Sequence, residues 1–122
     1  NFVVQALCNK SLTIYGEGDQ TRSFCYVEDL INGFIKLMNS NYSKPINIGN
    51  PCEFTILELA KMVKKKINPN LELIFKKLPT DDPKQRKPNI NLAKQELSWE
   101  PKVGLDNGLD LTIDYFKSEL NF

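Results

Sequence analysis

Apolar positions recur along this chain in two rhythms. From Val27 to Met38 they fall at Val27, Leu30, Ile31, Phe34, Ile35 and Met38, the i, i+3, i+4, i+7 repeat of an amphipathic helix. The stripe predicts a well-buried helix that stops at Asn39-Ser40-Asn41. A second helix is predicted from Thr55 to about Ile67, with Ile56, Leu59, Ala60, Val63 and Ile67 as its stripe. Thr55 and Glu58 have capping-box spacing, and Pro69 lies just past the end. A third runs from about Leu105 to Leu120 on Leu105, Leu109, Ile113, Phe116 and Leu120. Shorter helical signals lie at Asn1–Asn9, where Phe2, Val3 and Ala6 share a face, and near Asn91–Leu97.

The second rhythm is that of short strands. Leu12-Thr13-Ile14-Tyr15 is β-prone and leads into the turn Gly16-Glu17-Gly18-Asp19. Strands are also predicted at Thr21–Cys25, at Pro45–Pro51 before a Gly/Pro corner, and at Leu71–Phe75. Leu78–Pro88 is polar and punctuated by Pro79, Pro83 and Pro88, as a loop is, and Trp99-Glu100-Pro101 is a turn whose Trp anchors neighbouring helices. Short strands alternating with about four helices make the class mixed α/β. Such strands can cover one side of a larger sheet but enclose a thin core of their own. The expectation is therefore one lobe, residues 1–122, that packs on a further domain. Because Asn1 already lies in a helical pattern, the chain is expected to be the C-terminal piece of something longer.

Composition narrows the functions. The chain has 122 residues, 41% apolar, with a formal net charge of +1. That balance lacks the basic excess of a nucleic-acid footprint and the low hydrophobicity of a disordered chain. No apolar run is long enough to span a membrane. Cys8, Cys25 and Cys52 are irregularly spaced, which reads as three free thiols in a reducing compartment. Without histidine the commonest general base and metal ligand is missing.

The stretch Leu12–Tyr26 carries the most chemistry. Arg22 can fork two hydrogen bonds onto a phosphate or carboxylate, or close a structural salt bridge. Gly16 and Gly18 allow a tight turn and close ligand approach, and Tyr15 can either stack on a base or fill the core. Arg86 lies in the proline-stiffened loop, as a second cation or as a solvated charge. Two separated arginines, each beside a turn, suit a diphosphate better than a polymer backbone. Asn47 can bond a ligand hydroxyl or cap its own turn, and Asp81 and Asp82 read as turn caps rather than an acid/base pair. The run Lys61, Lys64, Lys65, Lys66 reads as the solvated face of its helix. No glycine-rich dinucleotide loop and no Tyr-x-x-x-Lys pair is present, so no redox step is expected of these residues alone.

Five segments carry a resemblance: NFVVQAL, LTIYGEGDQTRSFCYVEDLINGFIKLMNSN, INIGNPCEFTILELA, LPTDDPKQRKPNI and SWEPKVGLDNGLDLTIDYF. In that order they cover almost the whole chain. They resemble the C-terminal region of the extended short-chain dehydrogenase/reductase family of nucleotide-sugar enzymes. Within it the MNSN run, the DDP-x-x-RKP loop and the WEP turn are similar to the UDP-glucuronate decarboxylase branch. The resemblance implies the small substrate-binding lobe of an NAD(P)-binding Rossmann enzyme, with NAD and the catalytic Tyr and Lys held by an N-terminal Rossmann domain outside this chain.

By that resemblance Thr13 and Tyr15 line the base, and Gln20 and Arg22 meet the nucleotide or diphosphate. Asn47 faces the ligand from a strand end. Arg86 lies near the diphosphate or the sugar carboxylate, where its charge can act electrostatically. The implied reaction converts UDP-glucuronate to UDP-xylose and CO2 in a homodimer of the full enzyme, with a UDP-sugar as partner. It is placed in the cytoplasm, or in the Golgi lumen where an upstream anchor directs it there. A related 4,6-dehydratase or epimerase, or a non-catalytic nucleotide-sugar module, stays open. Asn89 and Asn91 depart from the acidic residues that relatives often carry.

Overall fold

The computed structural model describes residues 1–122. Its elements in chain order are α1 (Phe2–Leu7), β1 (Leu12–Tyr15), β2 (Thr21–Ser23), α2 (Val27–Met38), β3 (Glu53–Thr55), α3 (Ile56–Ile67), β4 (Leu73–Lys76), β5 (Gln85–Arg86), α4 (Asn91–Leu97) and α5 (Leu105–Glu119). The α/β class holds, with five helices and five short strands.

The strands form two small sheets. β1 pairs in parallel with β4, Leu12 opposite Leu73 through Tyr15 opposite Lys76. In the second sheet β2 lies between β3, antiparallel, and β5, parallel. The main core gathers Val3 and Ala6 of α1, Leu12 and Ile14 of β1, Ala60 and Val63 of α3, and Leu109 and Ile113 of α5. The predicted stripes of α3 and α5 are the ones that pack there. Thr55 Oγ1 accepts from the Glu58 N–H and the Glu58 carboxylate accepts from the Thr55 N–H, completing the capping box that starts α3. Lys66 departs from the solvated-face expectation. Its ammonium reaches Asp106 at 2.9 Å and Asp110 at 2.8 Å, tying α3 to α5.

A second cluster surrounds Trp99, with Ile90, Ala93 and Leu97. The Trp99 indole N–H donates to the Asp29 carbonyl at 2.9 Å, and the buried Asp29 carboxylate accepts from the N–H groups of Lys102 and Val103. Trp99 is thus the anchor the sequence suggests.

Helix α2 forms where expected but faces the other way. Asp29 and Gly33 are its buried residues, and a Cβ on Gly33 would stand 2.7 Å from Ile48 Cγ2. The apolar stripe points outward: Val27, Ile31, Phe34 and Ile35 are 47–55% exposed and Met38 82%. The pattern specified an apolar face correctly, but no surface within these residues covers it. The predicted strand at Pro45–Pro51 is likewise absent: Pro45–Ile48 lies outside both sheets. The sheet takes Glu53–Thr55 instead, and the proline-rich loop contributes β5.

Candidate nucleotide-diphosphate site

Residues from β1, β2 and the loop after β4 converge on a cleft of about 450 Å³. The turn between β1 and β2 makes this possible. Gly16 and Gly18 have φ of +73° and +78°, values that L side chains rarely adopt. The turn sends the chain from the two-stranded sheet into the three-stranded one, so Tyr15 at the end of β1 and Arg22 in β2 line the same cleft. Thr13 and Gln20 line it too. Tyr15 is 49% exposed, so it is a wall of the cleft rather than a core residue.

Arg22 is held but not exhausted. Its Nη1 donates to the Thr21 carbonyl at 2.7 Å and its Nη2 to Asp82 Oδ1 at 2.6 Å. A guanidinium has five N–H donors, so its remaining donors stay available to an anion. Asp82, expected only to cap a turn, is therefore an ion-pair partner at the cleft wall.

The sheet register places the second arginine. Arg22 is opposite Arg86 across the parallel β2–β5 pair and opposite Phe54 across the antiparallel β2–β3 pair. Paired residues send their side chains to the same face of a sheet. Arg22 and Arg86 therefore stand side by side on one face, although Arg86 does not line the cleft itself. On the other face Glu53 Oε1 accepts from the Thr21 hydroxyl at 2.9 Å and from Gln85 Nε2 at 2.7 Å. These hydrogen bonds, the one from Gln85 first, hold the Glu53 carboxyl below its ordinary range, with help from Lys87.

Gln20 braces the turn. It is buried, its Nε2 donates to the Tyr15 carbonyl at 3.0 Å, and its Oε1 is left without a partner. Thr13 is braced from α1, since its hydroxyl accepts from Gln5 Nε2 at 3.3 Å. Asn47 lies apart from the cleft, its Nδ2 donating to the Asn89 carbonyl at 3.3 Å. Four of the six predicted residues thus share one cleft, Arg86 is the register neighbour of one of them, and Asn47 is separate. Sequence reasoning missed Gln5 and the pairing role of Asp82. Neither role has a local signal in the sequence: the ion pair spans sixty positions, and Gln5 meets Thr13 only in the fold. Burial and the nearby Asp29 charge push the Cys25 thiol up, so it stays protonated at neutral pH.

A family model described as GDP-mannose 4,6 dehydratase matches residues 1–112. UDP-glucuronic acid decarboxylase 3 of Arabidopsis thaliana is 53% identical over 121 residues, covering 99% of this chain and 35% of that protein. UDP-glucuronic acid decarboxylase 1 of Xenopus tropicalis is 50% identical over 120 residues, covering 98% and 28%. The chain therefore spans about a third of the length of these relatives. Among solved structures, UDP-glucuronic acid 4-epimerase of Bacillus cereus, in complex with UDP-glucuronic acid and NAD, superposes with a TM-score of 0.89 at 33% identity. That match covers 97% of this chain and 38% of the epimerase. UDP-glucose 4-epimerase of Thermotoga maritima, with UDP-glucose, gives a TM-score of 0.92 at 30% identity, covering 98% and 38%. With its family model matched over most of its length, this chain belongs to the GDP-mannose 4,6 dehydratase family.

Proposed function

We propose that the chain is the substrate-gripping lobe of a UDP-glucuronate decarboxylase, an enzyme that converts UDP-glucuronate to UDP-xylose and CO2. The observation that carries this reading is the convergence of Tyr15 and Arg22 on one cleft, with Arg86 in register beside Arg22. In this reading Tyr15 and Thr13 hold the uracil, Gln20 braces their strand end, and Arg22 and Arg86 neutralise the diphosphate. Asn47 would face the sugar from the irregular segment before Gly49. The identity of about half to several decarboxylases supports this choice of sugar chemistry.

The relatives' chemistry implies NAD, which would supply oxidation of the sugar's 4-hydroxyl and the later reduction. The residues here do not fit it. The glycine turn after β1 leads into β2, not into the helix N-terminus that a dinucleotide pyrophosphate needs. We assign NAD to an N-terminal Rossmann domain of the longer protein, and no redox step to these residues. Two features support such a partner: the exposed apolar stripe of α2, and the irregular Pro45–Ile48 segment, which pairs with neither sheet. The full enzyme is proposed to be a homodimer working in the cytoplasm, or in the Golgi lumen if an anchor precedes this chain. No helix here is long and apolar enough to cross a membrane.

The test is an assay of the full-length protein with UDP-glucuronate and NAD. Release of CO2 with formation of a UDP-pentose supports the reading. Formation of UDP-galacturonate without CO2 would make the protein a 4-epimerase, and loss of water from another nucleotide sugar would make it a dehydratase. Binding without turnover would leave a nucleotide-sugar module.

A further inference from the structure

We propose that Glu53 is a positioning residue for the diphosphate site. From the sheet face opposite the arginines, its carboxylate stitches β5 to β2 and so keeps Arg86 in register with Arg22. The inference rests on the reading that a diphosphate meets both arginines.

Strand β5 is two residues long and follows a proline-bearing loop. So short a strand is marginal unless other bonds hold it. The Thr21 N–H donates to the Lys84 carbonyl at 2.8 Å, and the Ser23 hydroxyl donates to the Arg86 carbonyl at 3.1 Å. Both bonds come from β2. Glu53 on β3 adds the link that crosses all three strands, because one oxygen accepts from Thr21 and from Gln85 together. Thr21 and Gln85 are register partners, so these two side chains lie next to each other on the face away from Arg22 and Arg86. Glu53 thus touches neither arginine and, on this reading, no part of the ligand. Arg22 has its own supports in Asp82 and the Thr21 carbonyl. Cutting the stitch should therefore release Arg86 and leave Arg22 in place. The loss should fall on the second phosphate.

The experiment compares UDP with UMP in the full-length protein by calorimetry, for wild type, Glu53→Ala and Gln85→Ala. Gln85→Ala removes an exposed side chain and cuts the stitch from the β5 side alone, so it serves if Glu53→Ala misfolds. Each variant is expected to weaken UDP about 3- to 10-fold and to leave UMP unchanged. In an Arg86→Ala background neither should weaken UDP further. Hydrogen exchange at the Arg86 amide, which faces β2 in the parallel register, should speed up in both variants when measured without ligand. Equal weakening of UDP and UMP, the same loss in the Arg86→Ala background, or unchanged exchange would overturn the inference. If wild type binds neither nucleotide, the diphosphate reading fails, and the exchange data alone then decide whether Glu53 fixes β5.

Discussion

Tyr15 ends β1 half exposed, with its carbonyl held by the buried Gln20 amide and its ring on the wall of the cleft that Arg22 shares. A ring used for packing would be covered, whereas one used for stacking has to keep a face open. Replacing Tyr15 with Ala should thus leave the melting temperature nearly unchanged, as for other half-exposed positions. It should weaken UDP and uridine alike, by the roughly 1–3 kcal/mol that an aromatic–base stack contributes. Equal affinity of the variant and wild type for uridine would exclude the stacking role. The tyrosine's two readings stayed open in the sequence because a β-strand residue can face either side of its sheet. Only the burial of Leu12 and Ile14 on the other side settles which way it points. Asp82 was misread for a related reason. A turn cap is a local event visible in neighbouring residues, but an ion pair spanning sixty positions is not.

Helices α3 and α5 were legible because a buried stripe, a capping box and a following proline all agree on them. What the pattern left out is how the two are fastened. Lys66 follows the helical period of a solvated residue, yet it reaches two aspartates one turn apart on α5. The hydrogen bond to Asp110, then that to Asp106, pushes its ammonium above the ordinary lysine value. A raised native value means that the clamp's stabilisation is full below the unfolded lysine pKa of about 10.4 and is lost as pH rises through the native one. Thermal melts across the alkaline range should therefore fall more steeply for wild type than for Lys66→Met. Parallel alkaline limbs would show that the clamp adds nothing. Helix α2 and Pro45–Pro51 were misjudged for the opposite reason. Periodicity reports that a surface is apolar, not where its cover comes from. Within residues 1–122 nothing covers that stripe and no ladder takes up Pro45–Ile48, so a helix read as buried lies open and a strand-like segment stays unpaired.

At the scale of the whole molecule, these two uncovered features lie on a chain that spans about a third of the length of its decarboxylase relatives. Val27, Ile31, Phe34, Ile35 and Met38 together make a large apolar surface for a small protein. The isolated 122-residue chain should accordingly self-associate, and light scattering should report a dimer or larger species at micromolar concentration. A monomer at all concentrations would mean that the α2 face needs no cover. The central claim concerns the handle of the substrate: this lobe grips a uridine diphosphate, with Arg22 as its principal cation. Calorimetric titration of the full-length protein with UDP, wild type against Arg22→Ala, tests it most directly. Losing charge-assisted bonds of about 1.5–3 kcal/mol should weaken UDP roughly 10- to 150-fold while uridine binding is retained. Unchanged UDP affinity in Arg22→Ala would contradict the account.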